Sequence, residues 1–347
     1  MAEIGMGYQD DIKMVSALNL PWEKLSGCNI LITGATGLIG SCLVEVLMSH
    51  PKIDYHIFAC GRNLKRAKFL FSSYFESPNF TFVQQDVTEP VKCEKDFHYI
   101  IHAASGAAPK EFSEHPVEVV RANIMGVLNL MDYGRTHHLK RFLYVSSGEV
   151  YGEGDGRVFS EDYSGYVNPM SPRSCYPSSK RAAETLCASY GEEYGIDFVV
   201  ARPSHTYGPN FTESDNRVYA QFIRNVINGE DIVMKSDGSQ YRSFCYVVDC
   251  VSALLYILLK GERGQAYNVA DGSSNLTIRQ LAETIADVAN KRVVICIPSD
   301  NEKKGYNVVT KSVFDTTKLK TLGWNVDSNF HKKIKSTIES KIKQVQV

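Results

Sequence analysis

The sequence has little cysteine, no long apolar run and no excess of charge of one sign. Nine cysteines among 347 residues are too few for a disulfide scaffold, and no C-x-x-C pair indicates a zinc site or a redox dithiol. No stretch approaches the roughly 18 consecutive apolar residues of a membrane span. The N-terminal stretch MAEIGMGYQDDIKMVSALNLPWEKL carries acids and lacks the apolar core of a signal peptide. These absences predict a soluble cytoplasmic protein with reduced thiols, no metal site and no membrane partner.

The charges are balanced, because 38 Lys and Arg residues stand against 39 Asp and Glu residues. Without a long basic run, the sequence lacks the general electrostatic footprint of a protein that binds nucleic acid. Hydrophobic residues make up 44% of the chain and charged residues 22%, which excludes disorder, collagen and coiled coil as the main organisation. The length predicts two lobes or one large α/β domain.

Short apolar runs alternate with helical patterns along the first part of the chain, which is typical of βαβ units and a parallel sheet. Strands are predicted at 29–33, 55–60, 80–84, 99–102, 142–146 and 198–202, and helices at 41–49, 64–74, 117–136 and 176–194. After about residue 205 the alternation loosens, with helices at 219–228, 248–259 and 278–289 and a strand at 293–297.

This pattern predicts an α/β fold, a Rossmann-like doubly wound parallel sheet with a smaller C-terminal substrate-binding lobe. We expect an N-terminal extension at 1–27, a dinucleotide-binding domain at 28–204, and a lobe at 205–347 that returns some segments to the first domain. The extension and the Lys-rich tail at 331–343 are expected to be surface helices.

Three glycines, Gly34, Gly37 and Gly40, lie between the first strand and the first helical pattern. Glycine is required where a turn is tight, where backbone approaches a pyrophosphate, and where a helix packs closely on a strand. The helix N-terminus that follows presents free N–H groups to phosphates. Although the spacing is G-x-x-G-x-x-G, the strand–loop–helix context predicts a dinucleotide site.

The second strand ends in Ala59-Cys60-Gly61-Arg62 and carries no acid for the adenosine ribose hydroxyls. Since a cation at this point suits a 2′-phosphate, the sequence favours NADP over NAD. Arg62 has the alternative of being a solvated surface residue. Asp86, after the third strand, is a candidate for the adenine amine or a turn residue.

Tyr176 and Lys180 are four residues apart on a predicted helix, so both project from the same face. An ammonium beside a phenol favours the phenolate, and we expect Lys180 to lower the pKa of Tyr176 from about 10 toward neutrality. Tyr176 is then a candidate base for a sugar hydroxyl that loses hydride to nicotinamide. Ser147, at the end of a strand, is positioned to orient the same oxygen.

The segments TGATGLIG, HAAS, SSGEVYG, YPSSK and ARPSHTYGP occur in the order and approximate spacing of the extended short-chain dehydrogenase/reductases. Among these nucleotide-sugar epimerases, dehydratases and decarboxylases, the pattern most resembles UDP-glucuronate decarboxylase (UDP-xylose synthase). The stretches SEDYSGYVNPMSPRSCYPSSKRAAET, GSQYRSFCYVVD and HAASGAAPKEFSEHP carry that resemblance. It implies an NAD(P)-dependent enzyme and, from the helices at 117–136 and 176–194, a four-helix homodimer interface.

The resemblance also implies roles for individual residues. Ser147, Glu149, Tyr176 and Lys180 would be catalytic. The dinucleotide would contact Gly34, Thr36, Gly37, Leu38, Ile39, Gly40, Arg62, Asp86, Val87, Ala103, Ala104, Ser105, Asn123, Ser146, Tyr176, Lys180, Pro203 and His205. The nucleotide-sugar or sugar-phosphate substrate would be bound by Lys110, Arg173, Arg217, Arg242 and Lys311.

Some positions depart from the family's pattern. Gly148 stands where decarboxylases and dehydratases usually have Ser or Asp, and Phe112 stands where a decarboxylase has a tyrosine. His205 replaces an asparagine, and Lys311 takes the place of an arginine. Lysine offers a point charge, whereas arginine offers a planar group with two parallel donors. These departures affect the substrate more than the hydride chemistry.

The favoured function is transient oxidation at C4 of a nucleotide sugar, followed by decarboxylation or 4,6-dehydration. Epimerisation at C4 is an alternative that Glu149 disfavours, since epimerases often have no acid at that position. A second alternative is an NADPH-dependent reductase of a keto sugar or sugar phosphate, supported by Arg62. A protein that only senses dinucleotide would have no need of Ser147, Tyr176 and Lys180 together.

Overall fold

The computed structural model describes residues 7–52, 54–296 and 311–345. Its centre is a seven-stranded sheet in the order β10-β6-β5-β4-β1-β2-β3, and all neighbouring strands are parallel. The strands are β1 (Asn29–Thr33), β2 (His56–Gly61), β3 (Phe80–Gln84), β4 (Tyr99–His102), β5 (Arg141–Val145), β6 (Phe198–Pro203) and β10 (Ala266–Val269). This arrangement confirms the predicted fold class.

Helices pack on both faces of this sheet, so its strands are apolar on both sides; Ile30 and Ile100, for example, have no exposed surface. The flanking helices are α2 (Leu38–Met48), α3 (Leu64–Leu70), α4 (Pro109–Glu114), α5 (Pro116–Thr136), α6 (Cys175–Tyr194) and α8 (Val247–Lys260). The strand order reverses between β1 and β4, and in open α/β sheets such a reversal opens a ligand-binding crevice at the carboxyl edge.

A second, smaller sheet has β9 (Tyr241–Tyr246) paired with β7 (His205–Tyr207), β11 (Asn275–Thr277) and β13 (Lys311–Ser312). A separate parallel pair joins β8 (Ile232–Met234) to β12 (Val293–Ile295). The helices of this part are α7 (Val218–Ile227), α9 (Ile278–Val288), α10 (Thr317–Thr321) and α11 (Phe330–Val345). Ile297, the end of the strand predicted at 293–297, lies outside the described residues.

The helices at both ends of the described chain lie at the surface, with exposed residues on the outer face and one face packed on the core. Helix α1 (Tyr8–Ser16) buries Tyr8 and Ile12, and α11 buries Ile334 and Ile338. In each helix the buried residues are four apart and form one apolar stripe, which the surrounding polar residues concealed in the sequence. None of the helices in the described ranges is long and apolar enough to cross a membrane.

Candidate active site

The glycine loop lies at the carboxyl end of β1, where the strand order reverses. Gly34 has a φ of +67°, and a Cβ there would lie 2.7 Å from the backbone of Ala103 and Ala104 at the end of β4. A Cβ on Gly40 would lie 2.2 Å from the carbonyl oxygen of Gly34, so α2 could not approach the loop. Gly37 caps α2 in extended conformation. The loop therefore holds α2 with its N-terminal N–H groups toward the crevice, the arrangement that binds phosphate.

Three further predicted cofactor residues lie in or next to this loop. Thr36 precedes Gly37, and Leu38 and Ile39 form the first turn of α2. At the same carboxyl edge of the sheet, after β2 and β3, the guanidinium of Arg62 lies 3.5 Å from the carboxylate of Asp86, with 81% and 36% of the side chains exposed. Burial opposes ionisation of Asp86, but hydrogen bonds from Thr88 and the charge of Arg62 hold its pKa below the ordinary value.

Tyr176 and Ser147 are neighbours: hydrogen bonding by the Ser147 side chain lowers the pKa of the Tyr176 phenol, and the Ser147 hydroxyl accepts a hydrogen bond from the Glu149 amide at 3.2 Å. Burial raises the pKa of Tyr176 to about 12, and the bond from Ser147 opposes that rise only in part. The structure thus joins the strand-end hydroxyl and the phenol that the sequence predicted for one substrate oxygen.

Lys180 lies beside this pair but does not act as expected. Its Nζ donates to the carbonyl oxygen of Val145 at 2.8 Å and lies 5.8 Å from the centre of the Tyr176 ring. Only 1% of the residue is exposed, and burial lowers the pKa of Lys180 to about 7. The expectation that Lys180 lowers the pKa of Tyr176 is wrong for this structure, because both charged forms are desolvated and no hydrogen bond joins the two groups.

Asn123 connects three parts of the site. Its Oδ1 accepts a hydrogen bond from Ser105, after β4, at 2.8 Å, and its Nδ2 donates to Ser179 on α6 at 2.8 Å. Ser179 in turn donates to the carbonyl oxygen of Tyr176 at 3.2 Å. The predicted residues Ser105 and Asn123 therefore fix the first turn of α6, which carries the phenol.

Glu149 is bound by Arg173 through two parallel hydrogen bonds of 3.0 and 2.9 Å. The Arg173 guanidinium also lies 4.6 Å from the centre of the Phe112 ring, and that ring stacks on Tyr176 at 4.6 Å. Burial opposes the charge of Arg173, but the pairing with Glu149 raises the pKa of Arg173 above its ordinary value. Arg173 thus contacts the predicted catalytic acid, close to the Tyr176 phenol.

A second carboxylate, Glu184, lies one turn beyond Lys180 and was not predicted. It accepts a hydrogen bond from Ser146 at 2.5 Å and is paired with Arg202 at 2.7 Å. Its charge favours the protonated form of Lys180, against the effect of burial. Its position four residues after Lys180 on a helix is the signal in the sequence that could have identified it.

The predicted substrate cations are only partly gathered. Arg217 is held by Asp215, with hydrogen bonds from its Nε at 2.9 and 3.1 Å. Arg242, buried on β9, and Arg217 both act on His205. Desolvation by the surrounding protein and the charges of the two guanidinium groups together lower the pKa of His205 to about 4, although the residue is exposed to solvent. His205 follows Pro203, the last residue of β6, and pairs with Phe244 on β9.

The two predicted lysines have other partners. Lys311 is adjacent to the strand position of Arg242, but its Nζ donates to the carbonyl oxygen of Gly156 at 2.8 Å. The Nζ of Lys110 lies 3.8 Å from Glu114, and half of both side chains is exposed. Their roles in substrate binding remain predictions.

The glycine at position 148 has a steric reason. Gly148 is absent from the residues of positive φ, so its backbone does not require glycine. A Cβ there would lie 2.2 Å from Cζ of Phe314, whose ring is buried with Tyr151 and Phe159. The ring of Phe314 therefore fills the space in which the family's usual Ser or Asp side chain would begin.

No group of three or more His, Cys, Asp or Glu side chains within the described ranges could hold a metal ion. All nine cysteines lie in those ranges and are free thiols.

The chain is similar to known proteins along most of its length. Residues 30–270 match the NAD dependent epimerase/dehydratase family. UDP-glucuronic acid decarboxylase 6 of Arabidopsis thaliana is 35% identical over 270 residues, which cover 78% of this chain and 77% of that protein.

Two solved structures resemble the fold. UDP-glucuronic acid 4-epimerase of Bacillus cereus, in complex with UDP-glucuronic acid and NAD, has a TM-score of 0.77 and 22% identity, and covers 91% of this chain and 99% of its own. The dTDP-glucose 4,6-dehydratase of Streptomyces venezuelae, with NAD bound, has a TM-score of 0.77 and 21% identity, and covers 90% and 96%. At these identities the likeness concerns the fold alone.

Proposed function

The chain belongs to the NAD dependent epimerase/dehydratase family, and on that basis we propose that it is a UDP-glucuronate decarboxylase that oxidises C4 of the sugar transiently. The observation that carries the choice of decarboxylation is Gly148, which leaves no side-chain proton donor between Ser147 and Glu149 and gives the space of a side chain to the Phe314 ring. The 35% identity to a plant UDP-glucuronic acid decarboxylase supports the same choice.

Ser147 and Tyr176 would bind the 4-hydroxyl of the sugar, Ser147 as the orienting donor and Tyr176 as the group that takes the proton. A bound nicotinamide dinucleotide would supply the hydride acceptor and a positive charge near the phenol. Arg217 and Arg173 already lower the pKa of Tyr176 against the larger effect of burial. The buried Lys180, with a pKa of about 7, carries a proton that neutral pH can remove or restore.

Oxidation at C4 gives a 4-keto sugar whose C5 carries the carboxylate. The C5–C6 bond then breaks, carbon dioxide leaves, and the electron pair becomes an enolate with its charge on O4. The hydroxyls of Ser147 and Tyr176 would donate hydrogen bonds to that oxygen. C5 would then take up a proton, C4 would take back the hydride, and Tyr176 would return its proton to O4, so that the reaction would consume no dinucleotide.

Dehydration needs a different set of groups. A base must remove the proton from C5, and the leaving oxygen at C6 must receive a proton, whereas carbon dioxide leaves without one. Gly148 has no side chain to give that proton, and Glu149 is bound on both oxygens by Arg173. These contacts favour decarboxylation over 4,6-dehydration.

The proposed dinucleotide is NADP in preference to NAD. Support comes from Arg62, which is 81% exposed at the end of β2, and from Gly61, which occupies the strand end without a carboxylate. A 2′-phosphate is held well by a guanidinium. The Asp86 carboxylate near Arg62 weakens this preference.

A homodimer that buries α5 and α6 is also proposed. The two helices pack against each other, and α5 exposes Val117, Val120 and Met125 to solvent by 63%, 38% and 38%. Exposed apolar side chains on one face support a second copy as the cover. The nine free thiols support a reducing, cytoplasmic location.

The test is incubation of the protein with UDP-glucuronate and either dinucleotide, followed by mass spectrometry of the nucleotide sugars. We expect carbon dioxide and UDP-xylose, with no net change in reduced dinucleotide. Conversion of dTDP-glucose or UDP-glucose with loss of water would support a dehydratase. Formation of UDP-galacturonate would support an epimerase, and steady consumption of NADPH with a keto sugar would support the alternative reductase.

A further inference from the structure

We propose that Arg66 and Asn210 are positioning residues for the dinucleotide, because together they fasten the glycine loop to helix α2. The inference rests on the proposed binding of a dinucleotide at that loop. The Nε of Arg66 donates to the carbonyl oxygen of Thr36 at 2.8 Å, and its Nη2 donates to the carbonyl oxygen of Asn210 at 2.7 Å. One guanidinium thus joins the loop to a segment that lies 144 positions beyond Arg66 along the chain.

The bond to Thr36 acts on the part of the loop that would face phosphate. Thr36 precedes Gly37, the N-cap of α2, and the loop closes on itself through the bond from the Gly37 amide to the Gly34 carbonyl at 2.9 Å. A glycine-rich loop loses much conformational freedom when it is ordered. A fixed carbonyl at Thr36 orders the loop before a ligand arrives, which reduces the cost of binding.

Asn210 is hydrogen-bonded to α2, the helix that follows the glycine loop. Its Nδ2 donates to Ser41 at 3.0 Å and to Glu45 at 2.9 Å, and both residues lie on α2. Gln344 of α11 donates to the Asn210 Oδ1 at 2.6 Å. The contacts therefore form a closed ring from loop to Arg66, to Asn210, to α2 and back to the loop.

Helix α1 covers this ring. The Tyr8 hydroxyl donates to Glu45 at 3.3 Å, and Gln9 donates to the other Glu45 oxygen at 3.2 Å. Glu45 is 8% exposed and Asn210 is 2% exposed, so these polar groups depend on one another for hydrogen bonds. This contact gives the N-terminal extension a role in holding the dinucleotide site.

Arg62 and Arg66, four residues apart, then have different roles. The guanidinium of Arg66 is engaged by two backbone carbonyls, whereas that of Arg62 is 81% exposed. A direct ligand of the 2′-phosphate affects NADP binding alone. A residue that shapes the diphosphate loop affects NAD and NADP equally.

The experiment compares Arg66→Met with Lys68→Met, which removes an exposed cation from the same helix, and measures dissociation constants for NAD⁺ and NADP⁺. We expect Arg66→Met to weaken both by about tenfold, with an unchanged ratio between them, and Lys68→Met to have no effect. For Lys68→Met, kcat and the KM for UDP-glucuronate should stay within twofold of the wild type.

Other results would overturn the inference. Selective loss of NADP⁺ binding would make Arg66 a direct ligand, and unchanged constants would leave it no role. A merely structural effect would lower the melting temperature and the active fraction without raising the dissociation constants. Arg66→Lys, which keeps one donor group, is the substitute variant if Arg66→Met does not fold, and it should weaken the binding of both dinucleotides by a smaller, equal factor.

A wild-type protein that binds neither dinucleotide would overturn the proposed function as well, whereas the results above overturn only the positioning role.

Discussion

Two buried polar clusters of this protein differ in how many hydrogen bonds their charged groups make. In the loop clamp, formed by Glu45, Arg66 and Asn210, each charged group has several protein partners: Glu45 accepts from Asn210 at 2.9 Å and from two side chains of α1. In the reaction cluster, formed by Ser147, Tyr176 and Lys180, the Lys180 ammonium donates one hydrogen bond, to a backbone carbonyl at 2.8 Å.

The difference separates the residues proposed to hold the dinucleotide loop from those proposed to take part in the reaction. A buried group with several hydrogen bonds fixes its neighbours in place, whereas a buried group with few partners leaves room for a new neighbour. Burial lowers the pKa of Lys180 to about 7 and raises that of Tyr176 to about 12. Because few protein groups oppose burial here, a charged ligand beside the two groups would shift both pKa values. The comparison predicts that changes in the reaction cluster affect turnover, and changes in the clamp affect binding and stability.

The largest expected effect comes from Lys180→Met. Loss of a group that moves or stabilises a proton beside Tyr176 should lower kcat by about 10³-fold. The melting temperature should stay the same or rise, because the substitution removes a buried charge with few partners. The measurement is kcat for UDP-glucuronate together with thermal unfolding. A kcat within tenfold of the wild type would make Lys180 structural, and the two clusters would no longer differ.

The second effect concerns Gly148, which follows Ser147 of the reaction cluster and lies beside the Phe314 ring. Gly148→Ala puts a methyl group 2.2 Å from the buried ring of Phe314, and should cost about 2–3 kcal/mol of unfolding free energy. The control is Gly272→Ala, since a Cβ at Gly272 has no neighbour within 4 Å. Phe314→Leu in the Gly148→Ala background should recover part of the loss, which a double-mutant cycle measures. Additive effects would mean that the two residues do not compete for space.

The sequence predicted the parts of the site that depend on local spacing. The strand, loop and helix around Gly34 follow from three glycines and an apolar run, and the pair Tyr176 and Lys180 follows from a helical spacing of four. Phe314 beside Gly148 and the bonds of Arg66 join distant parts of the chain, and no pattern within a single segment indicates them. The pKa of Tyr176 was also beyond prediction, because it depends on desolvation by the whole fold.

The third effect is a dependence of stability on pH that separates the clusters. Burial raises the pKa of Glu45 from 4.5 to about 7, so its contribution to stability is present below pH 4.5 and is lost as the pH rises through 7. For Lys180 the sign is opposite: its folded pKa of about 7 lies below the ordinary 10.5, so stability is gained between these values as the pH rises.

Glu45→Gln isolates the first of these contributions. Between pH 5 and pH 8, the wild type should lose ~2 kcal/mol more unfolding free energy than the variant, because the variant has no carboxyl to ionise at this position. Denaturant unfolding at the two pH values measures the difference. Glu76→Gln, which removes an exposed carboxyl, is the control. Equal pH dependence in the wild type and Glu45→Gln would mean that Glu45 stays charged when buried and that three hydrogen bonds are sufficient.

The smallest expected effect is at Arg62, outside both clusters, where the charge is solvated and screened. Arg62→Gln should weaken NADP⁺ binding by about tenfold or less and leave NAD⁺ binding unchanged, since the cation has no contact with the glycine loop. The ratio of the two dissociation constants in wild type and variant is the measurement. A parallel loss of both dinucleotides would place Arg62 with Arg66 in the clamp. If instead NAD⁺ binding improved, the Asp86 carboxylate that Arg62 accompanies at 3.5 Å would be the group that contacts the dinucleotide, because the loss of Arg62 frees it to accept hydrogen bonds from the ribose hydroxyls.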